Sequence, residues 1–331
     1  MNNRRKLVIA LGGLSVGLAH AQPAERAGKT MRVGCLSAGT RANFEAGNGK
    51  VFIVAMRELG WIEGRNIVYD RAYAESDEKR LPALAAELVA RAPDLIWVIT
   101  TQATLAAFAS SRTISIVFAG SSDIVERGLA KTMAQPGGNV TGVQNITWEL
   151  AGKRLQLLKQ AMPKLARVGV LVYPDSDTSG PREFKMIENA AATLGLTAVP
   201  AMAKGVGEVD AAIASLVKNR VEALFVTSSP LFQNQRTRIL ALAASQRLPV
   251  VAPRSEYVVD GALMSYSALL SDQIRRSAQM VDMILKGTKK PADIPVEQPT
   301  KFELVLNVKT AKALSITLPG EILLQANRVI E

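Results

Sequence analysis

The chain has 331 residues, 48% of them apolar, a formal net charge of +11, one histidine and one cysteine. The apolar share supports a sizeable core and excludes a disordered chain, and the length suits two domains of ordinary size. Lys and Arg are interleaved with Asp and Glu beyond residue 6, which reads as a solvated basic surface rather than a nucleic-acid or membrane patch.

The first segment in chain order, residues 1–21, reads as a secretory signal peptide. Arg4, Arg5 and Lys6 form its positive end, Leu7 to Leu18 a largely apolar stretch, and Ala19-His20-Ala21 a small-x-small cleavage site. The apolar stretch is shorter than the roughly 20 residues a membrane-spanning helix needs. Cleavage after about Ala21 lowers the net charge to about +8 by removing three basic residues. It also removes His20. The exported chain is then expected to lack every mechanism that needs an imidazole, from Ser-His-Asp triads to histidine-ligated metals. Cys35 has no partner for an intramolecular disulfide and reads as a buried thiol in the first strand. It also lies too far past Ala21 to carry a lipid anchor. An unanchored exported protein needs an outer membrane to retain it, so the periplasm is the expected compartment. The paired arginines are a weak twin-arginine signal that ordinary export signals share.

Beyond residue 30, short β-branched runs alternate with Ala- and Leu-rich amphipathic runs, the pattern of βαβ units and a parallel sheet. Strands are predicted at Met31–Ser37, Asn66–Tyr73, Leu95–Ile99 and Ile114–Ala119. Helices are predicted at Phe44–Leu59, Leu81–Arg91 and about Ala103–Ser110. The pattern then restarts. Arg32-Val33-Gly34-Cys35-Leu36 is echoed by Arg167-Val168-Gly169-Val170-Leu171. Leu95-Ile96-Trp97-Val98-Ile99-Thr100-Thr101 is echoed by Ala223-Leu224-Phe225-Val226-Thr227-Ser228-Ser229 at the strand end. One supersecondary unit thus occurs twice, which predicts two similar α/β lobes. The chain is expected to cross between them near Gly142 to Thr147, after Gly261 to Ser267, and near Pro291 to Pro299. The expected division is 31–144 with about 268–296 for lobe one and 145–267 with about 297–331 for lobe two. Three crossings make a hinge.

In an open parallel sheet, ligands bind beyond the carboxyl ends of the strands. In lobe one those ends carry Ser37 and Gly39, then Thr100, Thr101 and Gln102, then Ser121, Ser122 and Asp123. In lobe two they carry Tyr173 and Asp175, then Thr227 and Ser228, then Arg254 and Glu256. Asn145 sits at the first crossing and Tyr266 at the second. Most precede a helix, so N–H groups and the positive helix end face the same space. Taken singly, Ser, Thr and Asp before a helix are ordinary N-caps, each contributing about 1 kcal/mol. Several such loops from two lobes favour a ligand site. Arg254 suits a carboxylate and Glu256 an amine, with a surface ion pair as the alternative. Tyr173 and Tyr266 suit an apolar ligand part or a core edge. The sequence has no Gly-x-Ser-x-Gly elbow, no P-loop and no Rossmann glycine triplet. No catalytic residue, metal or cofactor is expected.

Several stretches carry a family resemblance: Leu59-Gly60-Trp61-Ile62-Glu63-Gly64, Arg80-Leu81-Pro82-Ala83-Leu84, Gln135-Pro136-Gly137-Gly138-Asn139, Gly152-Lys153-Arg154-Leu155, Gly261-Ala262-Leu263-Met264-Ser265-Tyr266 and Pro295-Val296-Glu297-Gln298-Pro299. Together they resemble the ABC-transporter substrate-binding proteins, the family of the tryptophan/tyrosine-type periplasmic binding proteins, from about Met31 to Glu331. The resemblance implies a type I periplasmic binding fold, an α/β architecture of two Rossmann-like lobes with parallel sheets joined by a multi-crossing hinge. It implies a receptor that holds a small polar ligand, an amino acid or related carboxylate, between the lobes. It also implies an inner-membrane ABC permease as partner, with no nucleic acid and no embedding in the membrane. A monomer is expected. Two positions depart from the family pattern. Thr100-Thr101-Gln102 stands where members usually have Gly-Thr, and Ser122-Asp123-Ile124-Val125 where they often have Asp-Pro-Val. The missing proline frees a backbone N–H. The rival readings are a sensory module for a membrane kinase or chemoreceptor, an exported enzyme on the same fold, and, least favoured, a DNA-binding repressor, which would carry a helix-turn-helix at its start.

Overall fold

The computed structural model describes residues 29–174 and 180–331. The signal-peptide reading and the site assignment of Asp175 fall outside the described residues. Among the described residues, the strands form two sheets. The first holds β1 (Met31–Ser37), β2 (Ile67–Tyr73), β3 (Leu95–Ile99), β4 (Ser115–Ser121) and β5 (Val140–Gln144) in the order β2-β1-β3-β4-β5, all parallel. The second holds β6 (Arg167–Val172), β7 (Thr197–Met202), β8 (Ala223–Val226), β9 (Val250–Ala252), β10 (Met264–Ala268), β11 (Phe302–Asn307) and β12 (Arg328–Ile330). Its order is β12-β11-β10-β9-β8-β6-β7. The arrangement β2-β1-β3-β4-β5 therefore recurs as β7-β6-β8-β9-β10, the structural form of the internal sequence repeat. The extension is where it departs from a purely parallel sheet: β11 runs antiparallel to β10, with Tyr266 opposite Leu304.

The middle strands are buried on both faces, which explains why they read as unbroken apolar runs. Leu95–Ile99 is buried throughout. Helices cover each face, so each sheet has two apolar layers. Cys35 lies fully buried in one of them, and burial pushes its thiol up to about 12, which leaves it inert. Trp97, also fully buried, stacks on Phe52 with ring centroids 3.9 Å apart, and its indole N–H donates to Ser277 Oγ at 2.9 Å. Ser277 belongs to the helix Leu270–Leu285, which follows β10 of the second sheet yet packs on β4 and β5 of the first.

The chain thus passes between the sheets three times. It leaves β5 for the helix Ala151–Ala161, leaves β10 for Leu270–Leu285, and returns to β11 past Glu297. The passages lie side by side. Gln144 N donates to Glu297 O at 2.7 Å, Glu297 N donates to Gly142 O at 3.0 Å, and Leu269 N donates to Lys301 O at 3.0 Å. On β5, Gly142 is pressed against the neighbouring strand: a Cβ there would stand 2.1 Å from the Phe118 carbonyl oxygen on β4.

Candidate functional site

The carboxyl ends of β3 and β4 face those of β6, β8 and β9 across a cleft of about 690 Å³. On one wall it is lined by Thr100, Thr101, Gln102, Ser122 and Asp123. On the other it is lined by Tyr173, Ser228 and Arg254, with Asn145 from the first passage. These are nine of the residues expected from strand-end position.

Local hydrogen bonding explains the first wall. Thr100 caps the helix Thr101–Ser110, its hydroxyl accepting from Ala103 N at 3.4 Å. It does so at φ +86°, a region that residues with a Cβ seldom occupy. Its carbonyl lies 2.8 Å from Thr104 Oγ1 and 3.1 Å from Ser121 Oγ, and those two hydroxyls lie 2.6 Å apart, so one hydroxyl donates to the other and the second donates to the carbonyl. Thr101 Oγ1 accepts from Ser122 N at 3.0 Å, which leaves the hydroxyl hydrogen to donate elsewhere. Asp123 also has positive φ, +58°. Its carboxylate lies 3.4 Å from Arg182 and 4.0 Å from Arg127. The N–H at Ile124, where the family pattern puts a proline, donates to Gln144 Oε1 at 3.4 Å. That ties the loop to β5.

Several expected residues stand behind the walls instead. Ser121 is fully buried and braces Thr100, as described. Thr227 is fully buried and donates to Leu171 O at 2.9 Å. Ser37 accepts from Gly39 N at 3.1 Å, and neither residue lines the cleft. Glu256 is exposed on the helix Ser255–Val259 and points elsewhere. Tyr266 is partly buried at the edge of the second sheet's core, where it stacks on Phe302 at 5.8 Å.

Strand-end reasoning missed several cleft residues. Pro230 and Leu231 continue the β8 end directly, beyond Ser229, which the strand-end pattern reaches and which also lines the cleft. Tyr257 follows Arg254 by one helical turn, so the two share a side. Burial pushes the Tyr257 hydroxyl well above its usual range. Gln233 also lies on the second wall. Arg127, four residues past Asp123, lines the cleft from a loop with no periodic signal.

Behind the second wall lies a buried ion pair. Arg154 and Glu183 are both fully buried, 2.6 Å apart. Arg154 also donates to Tyr266 O at 3.0 Å and to Thr147 O. The other Glu183 oxygen accepts from Ser228 N at 2.8 Å. Burial raises the Glu183 carboxyl, against the pull of Arg154 and the Ser228 N–H. Among the described residues, no three potential metal-ligating side chains come together, and no helix is long and apolar enough to cross a membrane.

The site therefore offers hydroxyl and N–H donors at one helix start, two carboxylates (Asp123 and Glu78), two guanidinium groups and two phenol rings around a shared gap. That equips it to hold a small zwitterion with an apolar part. The family model described as ABC transporter substrate binding protein matches residues 46–330. A tyrosine-binding protein from Clostridioides difficile strain R20291 is 28% identical over 267 residues, covering 81% of this chain and 76% of that protein. A solved ABC domain from Streptococcus pneumonia in complex with L-Trp is 24% identical, covers 91% of this chain and 100% of its own, and has a TM-score of 0.81. The ligand-free, open structure of a substrate-binding protein with adhesive properties from Clostridium difficile is 25% identical, covers 91% and 99%, and has a TM-score of 0.73. Two repeated sheets face one another across a cleft between their strand ends, a family match runs through both, and the chain belongs to the ABC transporter substrate-binding protein family.

Proposed function

We propose that this chain captures an amino acid, or a related small carboxylate, between its lobes and delivers it to an inner-membrane ABC permease that reads the closed surface. The lobes of this reading are 31–144 with about 268–296 and 145–267 with about 297–331. The protein works in the periplasm after loss of its first 21 or so residues, and a single copy suffices.

The observation that carries the reading is the composition of the two cleft walls. Thr100, Thr101, Gln102 and Ser122 sit at the start of the helix Thr101–Ser110, where hydroxyls, N–H groups and the positive helix end suit a carboxylate. Asp123 on the same wall suits an ammonium group. Tyr173 and Tyr257 on the opposite wall give an apolar side chain a surface to lie on. The tyrosine and L-Trp named for the two relatives each have those three parts. Arg254 and Gln233 remain for a polar group at the far end of the side chain. Ser121, Thr227 and the Arg154–Glu183 pair hold the walls in place without touching the ligand. Binding favours the closed arrangement only because ligand contacts from both walls exist there together.

Calorimetric titration and thermal shift with the common amino acids test this. At least one should bind and raise the melting temperature, and Asp123→Asn should weaken that binding by about tenfold or more, the usual loss for a charged hydrogen bond. If no amino acid either binds or stabilises, the proposed ligand class is wrong.

A further inference from the structure

One side chain joins the two walls across the cleft rim. Arg182 belongs to the helix Gly180–Thr193, which packs on β6 and β7 of the second sheet. Asp123 and Glu126 belong to the loop after β4, whose Ile124 and Leu129 are buried in the core of the first sheet. Arg182 Nη1 nevertheless stands 2.5 Å from Glu126 Oε2 and 3.4 Å from Asp123 Oδ1. The guanidinium carbon also lies 6.0 Å from the Trp148 ring centroid, in the first passage between the sheets.

We propose that Arg182 is a closure latch, a positioning residue that favours the closed lobes by pairing with Glu126 across the rim while sitting on the hinge tryptophan. The proposal rests on the lobe-closing reading but not on which ligand is bound. Glu126 is its main partner, because that contact is the shorter one and Glu126 does not line the cleft. Asp123 does line it and is shared with Arg127, so a ligand ammonium can take Asp123 without releasing the latch. Opening the lobes separates Arg182 from Glu126 and returns both to water. The pair therefore acts on one of the two states only, the condition for any group to shift such an equilibrium. Arg182 and Glu126 are half-exposed, so the effect is modest and screened by salt.

The test is a distance measurement by pulsed electron paramagnetic resonance on the ligand-free protein, with spin labels at Glu87→Cys and Lys218→Cys. Both positions are exposed, one on a helix of each sheet. Cys35 is buried and does not take label. R182Q and E126Q should each lower the closed-to-open ratio about two- to fivefold at low salt, as expected for an exposed pair. The double variant should match R182Q alone, and molar salt should erase the difference. An R182Q distribution identical to the parent, or a double variant that loses the product of the two single effects, would overturn the latch. The readout uses no ligand, so failure of the amino-acid reading and failure of the latch are seen separately.

Discussion

Thr100 and Asp123 both carry side chains at positive φ, and both line the cleft. Strain of this kind persists only where the surroundings over-determine it, and the Thr104 and Ser121 hydroxyls on the Thr100 carbonyl do so here. A second tension at the same scale is Glu149, in the first passage between the sheets. Burial, the largest influence, pushes its carboxyl from 4.5 up to about 7. Asp123 and Glu183 push the same way, while its own backbone N–H and Arg154 oppose them. One of its carboxyl oxygens is buried with no hydrogen-bond partner among the described residues. The folded state thus holds the Glu149 proton to higher pH than the unfolded chain does. Between about pH 4.5 and 7 the folded state binds more protons, so this group's contribution to stability falls as pH rises and is fully lost above about 7. Glu149→Gln removes that penalty. It should be more stable than the parent by about 1–2 kcal/mol at pH 8, allowing for solvent screening at a half-buried site, and equal to it near pH 4. Urea unfolding at the two pH values measures this. A variant less stable than the parent at pH 8 would mean that the ionised carboxylate holds a partner.

At the scale of elements, the Trp97 to Ser277 hydrogen bond fastens the helix Leu270–Leu285 to a sheet it does not follow in sequence. Ser277→Ala leaves a buried indole N–H without an acceptor. It should cost about 1–3 kcal/mol, read as a lower urea midpoint with unchanged slope. The same elements show what a sequence can and cannot display. Leu95–Ile99 was legible end to end, because a strand buried on both faces is an uninterrupted apolar run, and Met31–Ser37 was legible from its buried stretch Val33–Ser37. The helix expected over Phe44–Leu59 is broken at Gly47, whose φ of −117° and ψ of −114° are non-helical. Beyond the break, the Phe44 ring packs where a Cβ on Gly49 would stand 2.2 Å from it. That is a local contact folded across the kink, at a spacing of five that the helical period does not display. The reversal at β11 is likewise set by the third passage between sheets rather than by local pattern. The candidate site follows the same logic. Hydroxyl-rich strand ends were readable, but successive side chains alternate in direction. Ser121 and Thr227 therefore turn into the core, while their neighbours Ser122 and Ser228 line the cleft. Arg127 and Arg182 come from a loop and a helix start, and only the folded chain brings them to the rim.

For the whole molecule, capture depends on where the lobes can bend, and the buried Arg154–Glu183 pair limits the choice. Arg154 holds the Thr147 carbonyl on the first passage and the Tyr266 carbonyl on β10, just before the second. Glu183 holds the Ser228 N–H of the cleft wall. On the other side of the first passage, Asn145 N donates to Ser121 O at 2.7 Å. Ile146 is left between a residue tied to the first sheet and a residue tied to the second. Arg154→Met removes the donor from two carbonyls and leaves a buried carboxylate unpaired, a loss of about 3–5 kcal/mol. Adding Glu183→Gln should recover part of that loss, since a neutral amide still accepts from Ser228 N, and the non-additivity should exceed about 1 kcal/mol. Urea unfolding of the four proteins gives the cycle. Amino-acid titration of the double variant gives the functional counterpart: with the second wall restored but both carbonyls untied, affinity should stay below the parent's. Equal affinity would mean that the cleft needs Ser228 held but does not need those carbonyls fixed.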